Sequence, residues 1–200
     1  MKLERSFYLR EDVLTIARDL LGKVIVTRNG QDHTAGIITE TEAYAGVADR
    51  ASHAFGGRRT LRNEQMYAVG GTAYVYLCYG IHNLFNIVTN VKDVPHAVLI
   101  RAVHPLEGEH IMCERRGIVG APRRPDLVAG GPGTLTTALA IGMEHNGVDL
   151  VNGVIAIEDR GFHIQTGSVR IGPRIGIDGS KEAALLPYRF RVAKDHSFAA

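Results

Sequence analysis

The chain has 200 residues, is 45% apolar and carries a formal charge of +2 at neutral pH. That length and apolar share suit one domain over 1–200 with a core that needs no staples; no run approaches a membrane span, and no apolar segment follows the first five residues as a secretory signal requires. Cys78 and Cys113 form no disulfide framework and the nine histidines show no metal-ligand spacing, so a reducing compartment, cytoplasm or nucleoid, is expected and a zinc site is not. The kind of base says more than the sum. Arginine makes up 18 of the 23 basic residues, and its planar fork matches phosphate oxygens two at a time, although an arginine-rich genome gives the same count.

Apolar residues at Val13, Ile16, Ala17, Leu20 and Leu21 predict a packing helix over 9–21, closed by Gly22. Residues 23–28 read as a strand, Asn29-Gly30 as a hairpin turn and 36–44 as the return strand, with Glu40, Glu42 and Tyr44 on one face. A carboxylate two residues from an aromatic sets an ionisable group beside a flat apolar surface, though a lone strand glutamate is more often simply solvated. Residues 45–63, rich in Gly and Arg, read as a long loop of the kind that tends to carry function. Arg58, Arg59 and Arg62 are candidate phosphate contacts there, although a basic loop is more often a solvated surface. Thr60 is expected to cap a short helix through Met66 and Tyr67.

Residues 72–89 read as two strands around Tyr79-Gly80, with Tyr74, Tyr76 and Cys78 on one face and Ala73, Val75 and Leu77 on the other. Phenol rings at alternate positions offer flat faces to a planar ligand and a wedge at the tip; tyrosines packed at a sheet margin make the same pattern. Residues 96–103 predict another strand, in which Arg101 needs a partner or a cavity. A helix is expected over 105–116, a loop over 117–133, and a further helix opened by Gly-Gly-Pro-Gly-Thr-Leu and ending near Gly142, whose first amides are a weak phosphate-binding signal. Short strands at 154–157, 169–177 and 188–192 add further sheet.

Three ordered stretches give the chain a recognisable pattern: Thr41-Glu42-Ala43-Tyr44 with His53, Tyr74-Val75-Tyr76-Leu77-Cys78-Tyr79-Gly80 with Asn86, and 99–108 around Arg101. Gly56-Gly57-Arg58-Arg59-Thr60, Gly131-Pro132-Gly133-Thr134-Leu135 and Pro187-Tyr188-Arg189-Phe190 extend it over nearly the whole length. This set resembles the alkyladenine, or 3-methyladenine, DNA glycosylase family. The resemblance implies an α/β (α+β) domain around a curved antiparallel sheet, with a protruding β-hairpin that enters the minor groove of double-stranded DNA carrying damaged purines. It also implies no cofactor, no metal, no membrane, no obligate protein partner and a monomer. By residue-to-residue match, Glu42 activates water and Arg101 supports it, Tyr44, His53 and Tyr76 sandwich the base, Asn86 floors the pocket and Tyr79 is the wedge. Thr134 and the Ile81-His82 pair depart from other forms, which bears on substrate range and DNA affinity. The mammalian amino-terminal extension is absent, as in bacterial forms.

Those residue types suit the chemistry. A duplex hides the glycosidic carbon, so the nucleotide must leave the stack at a cost of a few kcal/mol, and a wedge fills the gap. Alkylation at N3 or N7 makes the purine cationic, and aromatic faces favour it by roughly 0.5–2 kcal/mol beyond stacking. Two other readings use the same residues: a non-catalytic nucleic-acid binder, which has no need of Glu42, and an N-glycosidase acting on free nucleosides, which has no need of Tyr79, Arg58 or Arg59.

Overall fold

In the computed structural model, which describes residues 1–193 and 196–198, the other elements are arranged along one thirteen-residue strand. The chain order is α1 (Arg5–Tyr8), α2 (Val13–Asp19), β1 (Val24–Asn29), β2 (Asp32–Tyr44), β3 (Ala73–Cys78), β4 (His82–Thr89), β5 (His96–Glu107), α3 (Glu109–Arg115), α4 (Asp126–Ala129), α5 (Pro132–Ala138), β6 (Ile155–Glu158), β7 (Val169–Gly172) and β8 (Arg189–Val192). The eight strands form one curled antiparallel sheet in the order β3-β4-β5-β2-β1-β6, with β8 joined to β2 and β7 to β8. The long strand β2 has two neighbours on one edge: β1 pairs with its first half as far as Val24↔Ile37, and β8 pairs with Glu40, Thr41 and Glu42. Register shifts against β5 on either side of Glu40 bend β2 at the point where it changes partner.

Alternation along β2 divides its side chains between two environments. Thr41 and Ala43 face the core, where Thr41 Oγ1 donates to the Ala17 carbonyl of α2 at 2.8 Å. Ile16, Leu20, Ile38, Ile100 and Leu135 pack there without exposure, each burial contributing about 1.5–3 kcal/mol. Glu40, Glu42 and Tyr44 point to the opposite face, as their spacing predicts.

Several elements differ from expectation for local reasons. The first helix is two, because Asp12 accepts from the Leu14 amide at 2.9 Å and starts α2 afresh. β5 runs on through Pro105, which sits at a register shift opposite Gly36, and α3 begins only after Gly108 at φ 69°. Thr60 is not a cap: its amide and hydroxyl both donate to Asn63 Oδ1, and Asn63 opens the 3₁₀ turn Glu64–Tyr67. The 117–133 loop contains α4, and α5 stops at Ala138, short of Gly142. β7 ends at Gly172, since Pro173 has no amide for the ladder.

Candidate active site

One lateral row of the sheet assembles the site. Tyr74 pairs with Asn86, Asn86 with Leu99, Leu99 with Glu42, and Glu42 with Arg189, crossing five strands. Laterally paired residues share a face, so side chains scattered from 42 to 189 converge on one side of the sheet. Tyr74, Asn86 and Leu99 of this row contribute to a cleft of about 1000 Å³ lined also by Tyr44, His53, Arg62, Tyr76, Tyr79, Arg101, the 131–134 turn and the 175–180 segment.

Glu42 lies under this cleft with no exposed surface. Its Oε1 accepts from the Ile175 amide at 2.8 Å and faces Arg101 Nη1 at 3.3 Å, and its Oε2 accepts from the Tyr44 hydroxyl at 3.0 Å. Arg101 also donates from Nε to Glu40 Oε1 at 3.0 Å, and Arg189 Nη1 reaches that same oxygen at 3.3 Å. Arg101 thus finds two partners inside an otherwise apolar strand. Burial raises the Glu42 carboxyl above the usual carboxylate range, and Arg101 and the Ile175 amide offset this only in part.

The aromatic wall is held from within. His53 and Tyr76 meet edge to face with ring centroids 4.7 Å apart, and Tyr74 and Tyr76 lie at 5.4 Å with a 34° tilt. His53 Nδ1 and the Tyr74 hydroxyl share a 2.8 Å hydrogen bond. Burial lowers the His53 pKa, with Arg62 and Arg58 acting in the same direction, so the imidazole is neutral at neutral pH. Burial likewise raises the Tyr44, Tyr74 and Tyr76 hydroxyls, which stay protonated. The Asn86 amide nitrogen donates to the carbonyls of Tyr74 at 3.1 Å and Leu84 at 3.4 Å, which fixes that side chain at the cleft floor.

Tyr79 stands at the tip of the β3–β4 hairpin, 87% exposed and with a backbone φ of 50°. A bulky residue in the left-handed region costs on the order of 1–3 kcal/mol, so the turn holds the ring outward against its own preference. Gly80 follows at φ 74°, and the Ile81 amide closes the turn on Cys78 O at 3.1 Å. Beside the hairpin tip a Cβ on Gly133 would come within 2.9 Å of the His82 ring, so glycine there lets α5 approach the hairpin.

The three candidate arginines are not equivalent. Arg59 holds Glu64 through Nε at 3.0 Å and Nη2 at 2.6 Å, reaches Asp93 at 2.8 Å and covers the Tyr67 ring, so its donors are already engaged. Arg62 reaches the Leu77 carbonyl at 3.2 Å beside the cleft, and Arg58 is exposed. The start of α5 is poorer in donors than its sequence suggests: the Gly131 amide is taken by Thr134 Oγ1 and Pro132 has none. Among the described residues no group of three or more His, Cys, Asp or Glu could hold a metal, and no helix is long and apolar enough to cross a membrane.

Alternation puts Tyr74 beside Tyr76 and Glu40 beside Glu42, as the sequence indicates. Arg189 becomes visible only through strand pairing, and the Ile175 amide and the buried Asp49–Arg174 pair only in three dimensions.

The sequence model of the methylpurine-DNA glycosylase family matches residues 6–196. A relative from Chlamydia abortus, provisionally named a 3-methyladenine DNA glycosylase, is 48% identical over 94% of this chain and 96% of its own. Relatives with the same provisional name from Chlamydia pneumoniae, 42% identical over 98% and 97%, and from Clostridium perfringens strain SM101, 40% identical over 99% and 98%, are similar throughout. The chain belongs to the methylpurine-DNA glycosylase family and is a DNA N-glycosylase, a hydrolase of base excision repair.

Proposed function

We propose that this enzyme flips alkylated or deaminated purines out of duplex DNA and hydrolyses their N-glycosidic bond with water activated by Glu42. The expected substrates are 3-methyladenine and 7-methylguanine, with hypoxanthine and ethenoadenine as neutral candidates. The observation that carries the reading is a fully buried carboxylate, tied to Arg101, beneath a cleft walled by Tyr44, Tyr76 and His53. Tyr79 fills the gap left by the flipped nucleotide, and Arg58 and Arg62 hold phosphates. The protein acts as a monomer on the bacterial chromosome, in the cytoplasm.

In the reaction, the water oxygen bonds to C1′ as the C1′–N bond breaks, its electron pair leaves with the base, and the water proton passes to Glu42. A purine alkylated at N3 or N7 is cationic, so it leaves as a neutral molecule and needs no further proton, whereas hypoxanthine or ethenoadenine leaves as an anion and takes its proton from water. The carboxylate also stabilises the positive charge that develops on the sugar. Neutral His53 adds no positive charge facing a cationic base, which favours binding.

Duplexes with one defined lesion test the reading directly. Single-turnover base release by the wild-type enzyme, lost in Glu42→Gln with damaged-duplex binding intact and absent on free nucleosides, is the expected pattern. Retention of more than about a tenth of the rate by Glu42→Gln would remove the carboxylate from the chemistry.

A further inference from the structure

Arg174 and Asp49 form an ion pair with side chains only 0% and 2% exposed. Arg174 Nη2 meets Asp49 Oδ1 at 2.8 Å, Nη1 meets Oδ2, and the same two nitrogens donate to the Ala43 carbonyl at 2.8 Å and the Ala183 carbonyl at 3.3 Å. The guanidinium also lies between two rings, 4.7 Å from the Tyr44 centroid and 5.1 Å from that of Tyr188. Its Nε has no partner among the described residues.

A buried pair of this kind adds little net stability over a well-packed apolar cluster, and the unpaired Nε makes it less favourable still. What the guanidinium does and a hydrocarbon cannot is hold four segments in one geometry. Ala43 and Asp49 flank Tyr44 in sequence, so both sides of that residue are gripped and the back of its ring is covered. The next residue in the chain, Ile175, gives its amide to Glu42. We propose that Arg174, oriented by Asp49, is a positioning residue that fixes the Tyr44 ring as one wall of the base pocket and sets the Ile175 amide on Glu42. This rests on the reading of Glu42 as the base.

The charged and titratable groups around Glu42 are Arg101 on β5, Glu40 and Tyr44 on β2, Tyr76 on β3, Arg189 on β8 and Arg174 itself. Two of the contacts Glu42 makes depend on Arg174, the Ile175 amide and the Tyr44 hydroxyl, and this pair lowers the pKa of the carboxylate. Loosening it therefore raises the pH at which Glu42 becomes a base.

The test is single-turnover release from a duplex carrying one 7-methylguanine, measured against pH for wild type, Glu42→Gln, Arg174→Lys and Asp49→Asn. Lysine keeps the charge and loses the planar stack and most donors. Arg174→Lys should lower the rate about ten- to hundred-fold, as for loss of an orienting bond to a charged group, with damaged-duplex Kd changed less than about three-fold. Its acid limb should move to higher pH, which a merely structural role does not produce. Asp49→Asn, which keeps one acceptor oxygen and the side-chain volume, should move the limb the same way with a loss of about three- to ten-fold, and it carries the test if the lysine variant does not fold. An inactive Glu42→Gln beside Arg174→Lys and Asp49→Asn of wild-type rate and pH profile would overturn the positioning role alone. A fully active Glu42→Gln would overturn the reading beneath it.

Discussion

The cleft floor and the hairpin tip, both served by β3 and β4, are built on opposite terms. At the floor the Glu42 carboxylate and the side chains that touch it are held by the protein: Tyr44, Arg101 and the Ile175 amide on the carboxylate, Glu40 on Arg101, two carbonyls on Asn86. At the tip Leu77, Tyr79 and Ile81 stand 42%, 87% and 72% exposed, and the turn strains Tyr79 to keep its ring out. The floor is organised before any substrate arrives, the condition for electrostatic stabilisation without rearrangement. The tip is an exposed apolar surface with Arg62 close by. On the roles proposed for these residues, chemistry is prepared in advance and recognition is completed by the DNA.

Variants that break this contrast should differ in kind as well as size. The largest effect belongs to the floor. Glu42→Gln keeps shape and loses the base, and should cost ~10²- to 10⁴-fold in single-turnover rate with little change in damaged-duplex Kd. The pH profile sharpens the same point. With Glu42 proposed as the base, its ionised form is the active one and burial raises its pKa, so activity should fall on acidification through an acid limb lying above that of an exposed glutamate, and Glu42→Gln should have no such limb. For stability the sign is opposite. A carboxyl whose folded-state pKa is raised favours the fold while protonated, and that contribution is lost as pH rises through the folded-state value.

Next in size is Asn86→Ser. Removing a locked amide from the floor should raise guanine excision relative to hypoxanthine by about 1–3 kcal/mol of discrimination, with a stability loss of similar order from the two vacated carbonyls. Asn86→Leu should impair both bases. An unaltered guanine-to-hypoxanthine ratio in the serine variant, with only a lower melting temperature, would reduce Asn86 to a strand fastener.

Tyr79→Ser tests the tip. With 2-aminopurine beside the lesion, its fluorescence rise on binding should be smaller than that of wild type, while its melting temperature should hold or rise, since nothing packs on the ring. An equal fluorescence rise would dismiss the wedge. The smallest effects belong to the arginines. Arg58→Ala and Arg62→Ala should weaken damaged and undamaged duplex alike and lower the salt slope by about one each. Arg59→Ala, whose donors are spent on Glu64 and Asp93, should leave the slope nearly unchanged.

Legibility followed the range of the contacts involved. The β3–β4 hairpin, the shared face of Glu40, Glu42 and Tyr44, and the exposure of Tyr79 follow from period-two alternation and a Gly turn, all local signals. The resemblance added His53, Asn86 and Arg101, and the structure brings each to the cleft. What stayed hidden was set at long range. No local pattern indicates that Arg59 would be neutralised by Asp93, 34 residues away, or that Arg174, inside what reads as a strand, would instead be buried against Asp49. Pro105 misled for a related reason: proline often opens helices, but at a register shift it sits in a strand without cost to the ladder.

The change of partner along β2 has a consequence in time. Glu42 leaves the ribosome early, whereas the Ile175 amide that fixes it follows 133 residues later, and β8, which closes the edge beside it, later still. The first half of β2 pairs with its immediate neighbour β1, a contact that forms as soon as both strands exist. The hairpin with Tyr79 is likewise available long before the carboxylate is secured. On the proposed roles of Tyr79 and Glu42, the molecule gains its means of touching DNA during synthesis before its means of cutting the glycosidic bond, and hydrolytic competence arrives with the final strand.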